Sequence, residues 1–392
     1  MPWRTLTPMS QRLEFVILAS QRGVAFRELC RRFAVSRKTG YKWLARYQAG
    51  GAAALADRSR KPRRSPQQIA PGLAAAVMAL RQETMWGSRK LRRRLQDLGH
   101  ASVPAASTCT AILRRADLLH RDRPRGPLQR FERSQPNELW QMDHKGDFAT
   151  QSGQRCHALT VLDDHSRFNL VLDAAGNQRT LTVQTALTAA FERYGLPEAI
   201  LCDNGGAWGN LANGAGHTPL TVWLLRLGVH VRHGRPYHPQ TQGKEERFHR
   251  TLKDELLSRH TWRDLAHCAT HFQRFRQRYN HERPHDSLHG DTPAVHYRPS
   301  VRSMPTHLPP LTYGEMEVRI VRAKGVITFA NQTWAIGEAF AALPIGLRPS
   351  PQADGHWDVY FGCFKLGRID LTAPRSAKHT VHRLSSYRSP QD

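Results

Sequence analysis

Two runs decide how this chain folds: Leu201-Cys202-Asp203-Asn204-Gly205-Gly206 and Pro236-Tyr237-His238-Pro239-Gln240-Thr241-Gln242-Gly243-Lys244-Glu245-Glu246-Arg247-Phe248. The first reads as a short strand running into a glycine turn, with a carboxylate at its end. The second reads as a Pro/Gly loop that opens a helix and carries a carboxylate in the first turn. Upstream, Leu139-Trp140-Gln141-Met142-Asp143 is a third strand-like run bearing an acid. Three acids on two strands and one helix start suit a divalent metal, because carboxylate oxygens hold hard cations such as Mg2+ or Mn2+.

The surroundings give these runs an order. Leu139 to Phe148, His157 to Leu162 and Phe168 to Asp173 are strand candidates with short connections, hence an antiparallel meander. Thr180 to Tyr194 is a predicted helix stopped by Gly195, with Pro197 beyond. Ala199 to Cys202 is a short buried strand, followed by a helix around Pro219 to Leu227, a strand at Val229 to Arg232 and a long helix from near Gln242. That succession is the order of a ribonuclease H-like α/β fold. It places Asp143 on the first strand and Asp203 at the end of the fourth, which are neighbours in that fold.

Trp140-Gln141-Met142-Asp143, Asp203-Asn204-Gly205 and the run His238 to Lys253 closely resemble the catalytic blocks of retroviral integrases and bacterial insertion-sequence transposases of the Asp-Asp-Glu type. The resemblance covers at least residues 137–290. It implies that Asp143, Asp203 and Glu246 are the catalytic acids and metal ligands. Glu246 is the match because it falls three residues after Gly243; Glu245 points about 100° away around the helix. Forty-two residues separate Asp203 from Glu246, longer than is usual in the family, and the surplus is assigned to the Gly/Asn-rich loop Trp208 to His217. The implied chemistry uses two Mg2+ ions, for which Mn2+ can substitute, in an in-line phosphoryl displacement. Water as attacker frees a 3′-OH; that 3′-OH as attacker joins the strand to a target. The expected protein is therefore a bacterial, cytoplasmic DNA transposase. It would act as a homo-oligomer on double-stranded DNA, binding its element's terminal inverted repeats and a target. A catalytically silent DNA-binding regulator with the same fold is the competing reading, and a plain metal-dependent nuclease a third.

The long helix adds a further expectation. Residues three, four and seven positions beyond Glu246 share its face: His249, Arg250 and Lys253. The resemblance implies that Arg250 and Lys253 hold the DNA end. Asp147, four residues along the strand from Asp143, is expected on the same face as a supporting acid. Asp163-Asp164 reads as a turn that stiffens the site.

The charge is unevenly distributed. Residues 1–128 hold 26 Lys and Arg against 7 Asp and Glu, while the other 264 hold 32 against 25. The basic excess of a chain with net charge +26 is therefore N-terminal, which points to a nucleic-acid arm on a more neutral body. Within 1–50, Ser10 is expected to cap a first helix, Ala25 to Phe33 forms a second, and Ser36 caps a third, Arg37 to Tyr47. This is a helix-turn-helix pattern with Tyr41, Leu44 and Ala45 on one face. Arg37, Lys38, Lys42 and Arg46 are its expected DNA contacts. A basic linker at 51–66 adds Arg58, Arg60, Lys61, Arg63 and Arg64, suited to phosphates or a minor groove. Residues 67–120 read as a second helix-turn-helix-like domain, in which Ser88 caps a helix carrying the DNA candidates Arg89, Lys90 and Arg93. A linker at 121–136 leads to the core at 137–298. Pro299 to Pro310 reads as another linker, and the short strands within 313–372 as a small β-barrel.

Cys30, Cys109, Cys156, Cys202, Cys268 and Cys363 are scattered singly, which argues against a zinc ribbon or disulfide framework. His230 and His233, and His281 and His285, have ligand-like spacing but lack completing partners, so a surface or DNA-facing place is expected for them. No apolar run reaches the length of a membrane span, and no secretory signal is read in Met1 to Gln21.

Overall fold

The structure is a computed structural model, and it describes residues 7–59, 69–119, 132–203, 208, 216–233, 243–372 and 381–386. Two compact units divide it, residues 1–68 and 69–392. The first unit holds α1 (Pro8–Ala19), α2 (Phe26–Arg32) and α3 (Arg37–Gly50). Thr7 rather than Ser10 caps α1, its hydroxyl accepting from the Ser10 N–H at 3.1 Å. Pro8 fits as the first helical residue because its missing N–H would be unpaired there. Ser36 caps α3 through the Thr39 N–H. The core is Phe15, Val16, Leu29, Cys30, Trp43 and Leu55. The buried face of α3 is Gly40 and Trp43, not Tyr41, which is 58% exposed and stacks on Phe26 at 4.2 Å. A Cβ on Gly40 would lie 2.9 Å from Cys30 Sγ and from Phe15 Cζ, so the bare glycine lets α3 close on α1 and α2.

The second unit begins with three helices, α4 (Pro71–Thr84), α5 (Ser88–Asp97) and α6 (Ala106–Arg115), around Val77, Trp86, Leu91, Leu95, Cys109, Ile112 and Leu113. Gly87, not Ser88, is the cap of α5; the Ser88 hydroxyl is instead 2.7 Å from that of Thr110 on α6.

A five-stranded mixed sheet follows, in the order β3-β2-β1-β4-β5. Its strands are β1 (Trp140–Ala149), β2 (Arg155–Asp163), β3 (Asn169–Ala175), β4 (Ala199–Cys202) and β5 (His230–His233). The first three are antiparallel; β4 and β5 run parallel to β1. Helices cover both faces, which is why the central strands are apolar on both sides. Trp140, Met142, Leu159, Val161, Ile200 and Cys202 face α7 (Thr180–Tyr194) and α8 (Pro219–Arg226). Cys156, Ala158 and Leu162 face α9 (Gly243–Glu255) and α10 (Leu265–His281), through Phe248, Leu252, Phe272 and Phe275. Residues 300–302 do not form a free linker. The Ser300 N–H donates to Tyr194 O at 2.8 Å, the Leu196 N–H to Arg302 O at 2.7 Å, and the Arg302 guanidinium to the carbonyls of Pro197, Leu227 and Gly228.

The C-terminal strands are β6 (Glu317–Ile320), β7 (Val326–Phe329), β8 (Gln332–Ala335), β9 (Pro344–Pro349), β10 (His356–Phe361), β11 (Phe364–Asp370), β12 (Val381–Arg383) and β13 (Ser385–Ser386). They form two sheets, β13-β11-β10-β9-β6 and β12-β8-β7, and among the described residues no pairing closes them into the expected barrel. The chain steps from one sheet to the other at Leu384, between β12 and β13. Their shared core includes Ile327, Phe329, Trp334, Phe340, Ile345, Leu347, Val359 and Phe361, together with Val222 and Leu225 of α8. Helix α8 is therefore buried on two sides, since Leu220 and Leu224 point into the mixed-sheet core.

Gly195 gives a test of this frame. Its φ is +77°, and a Cβ there would lie 2.7 Å from Ser300 O and 2.8 Å from Arg302 O. Gly195→Ala is expected to lower stability by at least about 1–2 kcal/mol, the cost of a left-handed backbone for an L-residue, before any clash. Chemical denaturation checks this; an unchanged midpoint would refute it.

Candidate active site

The register of β1 against β4 builds the site. Met142 pairs with Cys202, and both point to the α7/α8 side. Asp143 and Asp203 are each the next residue, so both turn to the opposite, α9, side on strands about 4.8 Å apart. The first turn of α9 brings Glu245 and Glu246 to the same region. Burial raises the Asp143 pKa to about 6, and the charges of Asp203 and Glu246 add to the push. Asp143 therefore feels the other two acids of the sequence motif electrostatically. Among the described residues no three His, Cys, Asp or Glu side chains are grouped closely enough to hold a metal ion. Asp203 Oδ1 accepts from the Trp208 indole at 2.5 Å, and the Trp208 ring stacks on His144.

The two glutamates of α9 have different surroundings. Glu246 is exposed and Glu245 buried. Thr160 lies opposite Asp143 on β2 and points to α9, as its alternation with Ala158 and Leu162 requires. Its hydroxyl lies 2.9 Å from Asp143 O, 3.0 Å from Glu245 Oε2 and 2.8 Å from His249 Nε2. Burial, then the Lys145 and His144 charges, lower the His249 pKa to about 3, so its imidazole is neutral. Its 3.7 Å approach to Asp143 Oδ2 is therefore no ion pair at neutral pH. Burial, then the Asp143 charge, raise Glu245 well above the usual carboxyl value. A hydroxyl donates only one hydrogen. The Thr160 hydrogen is therefore shared between Glu245 Oε2 and Asp143 O as alternative acceptors. Glu245 Oε1 has no hydrogen-bond partner among the described residues.

The turn after β2 anchors the start of α9. Asp164 is fully buried and accepts from the Arg133 N–H at 2.8 Å, Gln141 Nε2 at 2.7 Å and Lys244 Nζ at 2.6 Å. Asp163, also buried, accepts from the Asn137 and Ser166 N–H groups. The Lys244–Asp164 pair escaped the sequence reading; the only signal for it was a lysine directly after Gly243. Asp147 is a correction. A bulge between His144 and Asp147, with Gly146 at φ +76°, breaks the two-residue alternation. Asp147 pairs instead with exposed Arg155. His285 is buried rather than surface-facing, packed edge-on against Tyr279.

The basic candidates fall into groups. Arg37, Lys38, Lys42 and Arg58 are exposed, and Arg46 lies 4.8 Å over the Trp43 ring. Arg60, Lys61, Arg63 and Arg64 lie outside the described residues, as does most of the loop Trp208 to His217. Arg89 is exposed, whereas Lys90 approaches Asp286 at 4.0 Å and Arg93 pairs with Asp97 and with Asp291 at 3.3 Å. On α9, His249 belongs with buried Glu245; Glu246, half-buried Arg250 and exposed Lys253 form the outward stripe at spacings of four and seven.

Comparison with known proteins gives four kinds of family match. Integrase core domain models match residues 133–239 and 227–293. A helix-turn-helix domain matches 11–63, a homeodomain-like domain 39–113, and the C-terminal domain of IS481 family transposases 316–377. An uncharacterized 31.7 kDa protein of insertion element IS407 from Burkholderia multivorans is 30% identical over 224 residues, which are 55% of this chain and 77% of that protein. An uncharacterized 39.2 kDa protein of insertion element IS476 from Xanthomonas euvesicatoria is 27% identical over 219 residues, 54% of this chain and 61% of the relative. Among solved structures, the catalytic core domain of BIV integrase aligns with 41% of this chain and 92% of its own, at 23% identity and a TM-score of 0.31. No helix among the described residues is long and apolar enough to cross a membrane.

Asp143 gives the site a pH signature. A carboxyl whose folded pKa lies above its unfolded 3.8 binds its proton more tightly when folded. Its contribution to stability is thus greatest below 3.8 and declines as pH rises through about 6. Asp143→Asn removes the decline. Without divalent cations, the variant is expected to exceed the wild type at pH 8 by up to about 2 kcal/mol, discounted for the partial exposure of the side chain. Identical pH dependence of the two proteins in denaturant titrations would refute the assignment.

Proposed function

Because this chain belongs to the bacterial insertion-sequence transposases of the retroviral integrase-like superfamily, we propose that it binds the terminal inverted repeats of its element, cleaves their 3′ ends and joins them to target DNA. One observation carries the reading: Asp143 and Asp203 emerge side by side from adjacent parallel strands, and the Glu246 charge acts on Asp143 from the start of α9. These three carboxylates are the proposed catalytic acids, and they would become the metal ligands on drawing closer together than they stand here. They offer oxygen only, the donor set of hard ions, and their repulsion at Asp143 is of the kind a bound cation relieves. Mg2+, with Mn2+ as substitute, would supply Lewis-acid activation of the attacking oxygen and stabilisation of the leaving one.

The other residues orient these acids and the DNA. Lys244 ties the first turn of α9 to the buried Asp164, and so fixes where Glu246 stands. Thr160 and neutral His249 hold the main chain at Asp143 and the buried Glu245 beneath the site. Glu245 is a support and not a ligand in this reading, since its oxygens point into the protein. Arg250 and Lys253 extend the Glu246 stripe and are the proposed contacts to the phosphates next to the reacting bond. Exposed Arg37, Lys38 and Lys42 on α3 suit a recognition helix in a major groove. Homo-oligomeric assembly on DNA belongs to the same proposal.

The test is incubation with the DNA flanking its own gene, with Mg2+ or Mn2+, and a gel for nicking and joining. Asp143→Asn, Asp203→Asn and Glu246→Gln are each expected to abolish both reactions while leaving end binding largely intact, because basic contacts supply most of the affinity. Glu245→Gln is expected to keep activity. Binding without cleavage by the wild type would favour the silent regulator. Arg250→Ala and Lys253→Ala are expected to weaken end binding, each lowering the salt slope by about one. Wild-type joining and an unchanged slope in the double variant would show that this stripe does not touch DNA.

A further inference from the structure

The three-helix module α4–α6 is fastened to the catalytic core by a buried polar cluster that the chemistry above does not use. Trp86 packs in the module's own core, yet its indole N–H reaches out and donates to Glu255 Oε2 at 3.0 Å. Glu255 is gripped from the other side by Arg283, whose Nε and Nη2 lie 3.0 and 2.8 Å from Oε1. Trp86, Glu255 and Arg283 are 2%, 7% and 7% exposed. A buried carboxylate with two partners from different parts of the chain is costly to separate from either. The rim repeats the pattern with surface charges. Arg94 pairs with Glu282, Arg93 with Asp291 and Lys90 with Asp286, while Arg259 donates to the carbonyls of Gln82 and Glu83. Arg89 and Arg92, on the same helix α5, stay exposed.

The place of Glu255 gives this dock its meaning. It closes α9, the helix whose first turn carries Glu246. Nine residues at 1.5 Å each put the two about 14 Å apart along one rigid rod, held in the core by Phe248 and Leu252. One end of the rod stands at the acids, and the other holds the module.

We propose that Trp86, Glu255 and Arg283 are positioning residues that fix the distance between DNA held by the α4–α6 module and the acids at Asp143, Asp203 and Glu246, and so select which phosphodiester is cut. This rests on the transposase reading. DNA advances about 3.4 Å per nucleotide along a strand, so slack of that size in the dock moves the cut by one position.

The experiment uses the full chain and a duplex of the DNA flanking its own gene, with cut 3′ ends mapped to the nucleotide and end binding measured in parallel. The wild type is expected to cut at one phosphodiester. Trp86→Phe keeps the ring packing but removes the indole donor, and is expected to bind the duplex as the wild type does while cutting at several adjacent positions. Arg94→Glu is expected to spread the cuts likewise, and Arg94→Glu with Glu282→Arg to restore the single position. The exchange carries the test even if Trp86→Phe folds poorly. Cutting confined to the wild-type position in both single variants, with only the yield reduced, would overturn the proposal and leave the cluster a structural role. A wild type that binds and never cuts would overturn the transposase reading and the proposal with it, a failure visible in the wild-type lane alone.

Discussion

Everything in the catalytic region depends on the parallel pairing of β1 with β4. Three register pairs, Trp140 with Ile200, Gln141 with Leu201 and Met142 with Cys202, set two distant segments side by side. Because strand side chains alternate, the pairs that bury Met142 and Cys202 under α7 and α8 leave the next residue on each strand no choice but the other face. The two aspartates meet there as a consequence of core packing. A slip of one residue would return a carboxylate to the apolar side, so the hydrophobic register and the proposed chemistry are protected by the same constraint.

The opposite wall of the site is polar but closed to solvent. Thr160, His249 and Glu245 lie between the sheet and α9, where a hydrophobic trio would satisfy packing alone. Such a cluster is stable only when its hydrogens are shared out, and here burial works toward a neutral imidazole at His249 and holds the Glu245 carboxyl above its usual value. The site thus has two kinds of acid within one turn of helix: Glu246 in solvent, and Glu245 held away from it.

Much of this was legible in the sequence, and the gaps have physical causes. The order of strands and helices in 137–290 follows from short apolar runs and their Gly and Pro stops, and these place Asp143 within the first strand, Asp203 just past the fourth and Glu246 in the first turn of α9. The fate of Asp147 was hidden because Lys145 and Gly146 form a bulge, and alternation across a bulge fails. Strand β9 is weakly marked in the sequence, because prolines at 344 and 349 bound it and its Gly346 is covered by the Tyr313 ring rather than by a side chain of its own. The face of α3 was misjudged because Gly40 buries backbone, which an apolar count does not register. Basic residues were the hardest to place. Lys90 and Arg93 look the same in sequence whether their partner is a phosphate or an aspartate two hundred positions away.

Helix α8 ties the catalytic region to the C-terminal sheets. Its eight residues serve two cores at once, Leu220 and Leu224 on one side, Val222 and Leu225 on the other. Most separable domains meet through a polar seam, so that either can be lost without harm to its neighbour. Here the two sheets are the lid of a helix buried on two sides. A nonsense codon or proteolytic nick that removed them would leave Val222 and Leu225 bare, turning an otherwise complete catalytic region into a sticky, aggregation-prone fragment.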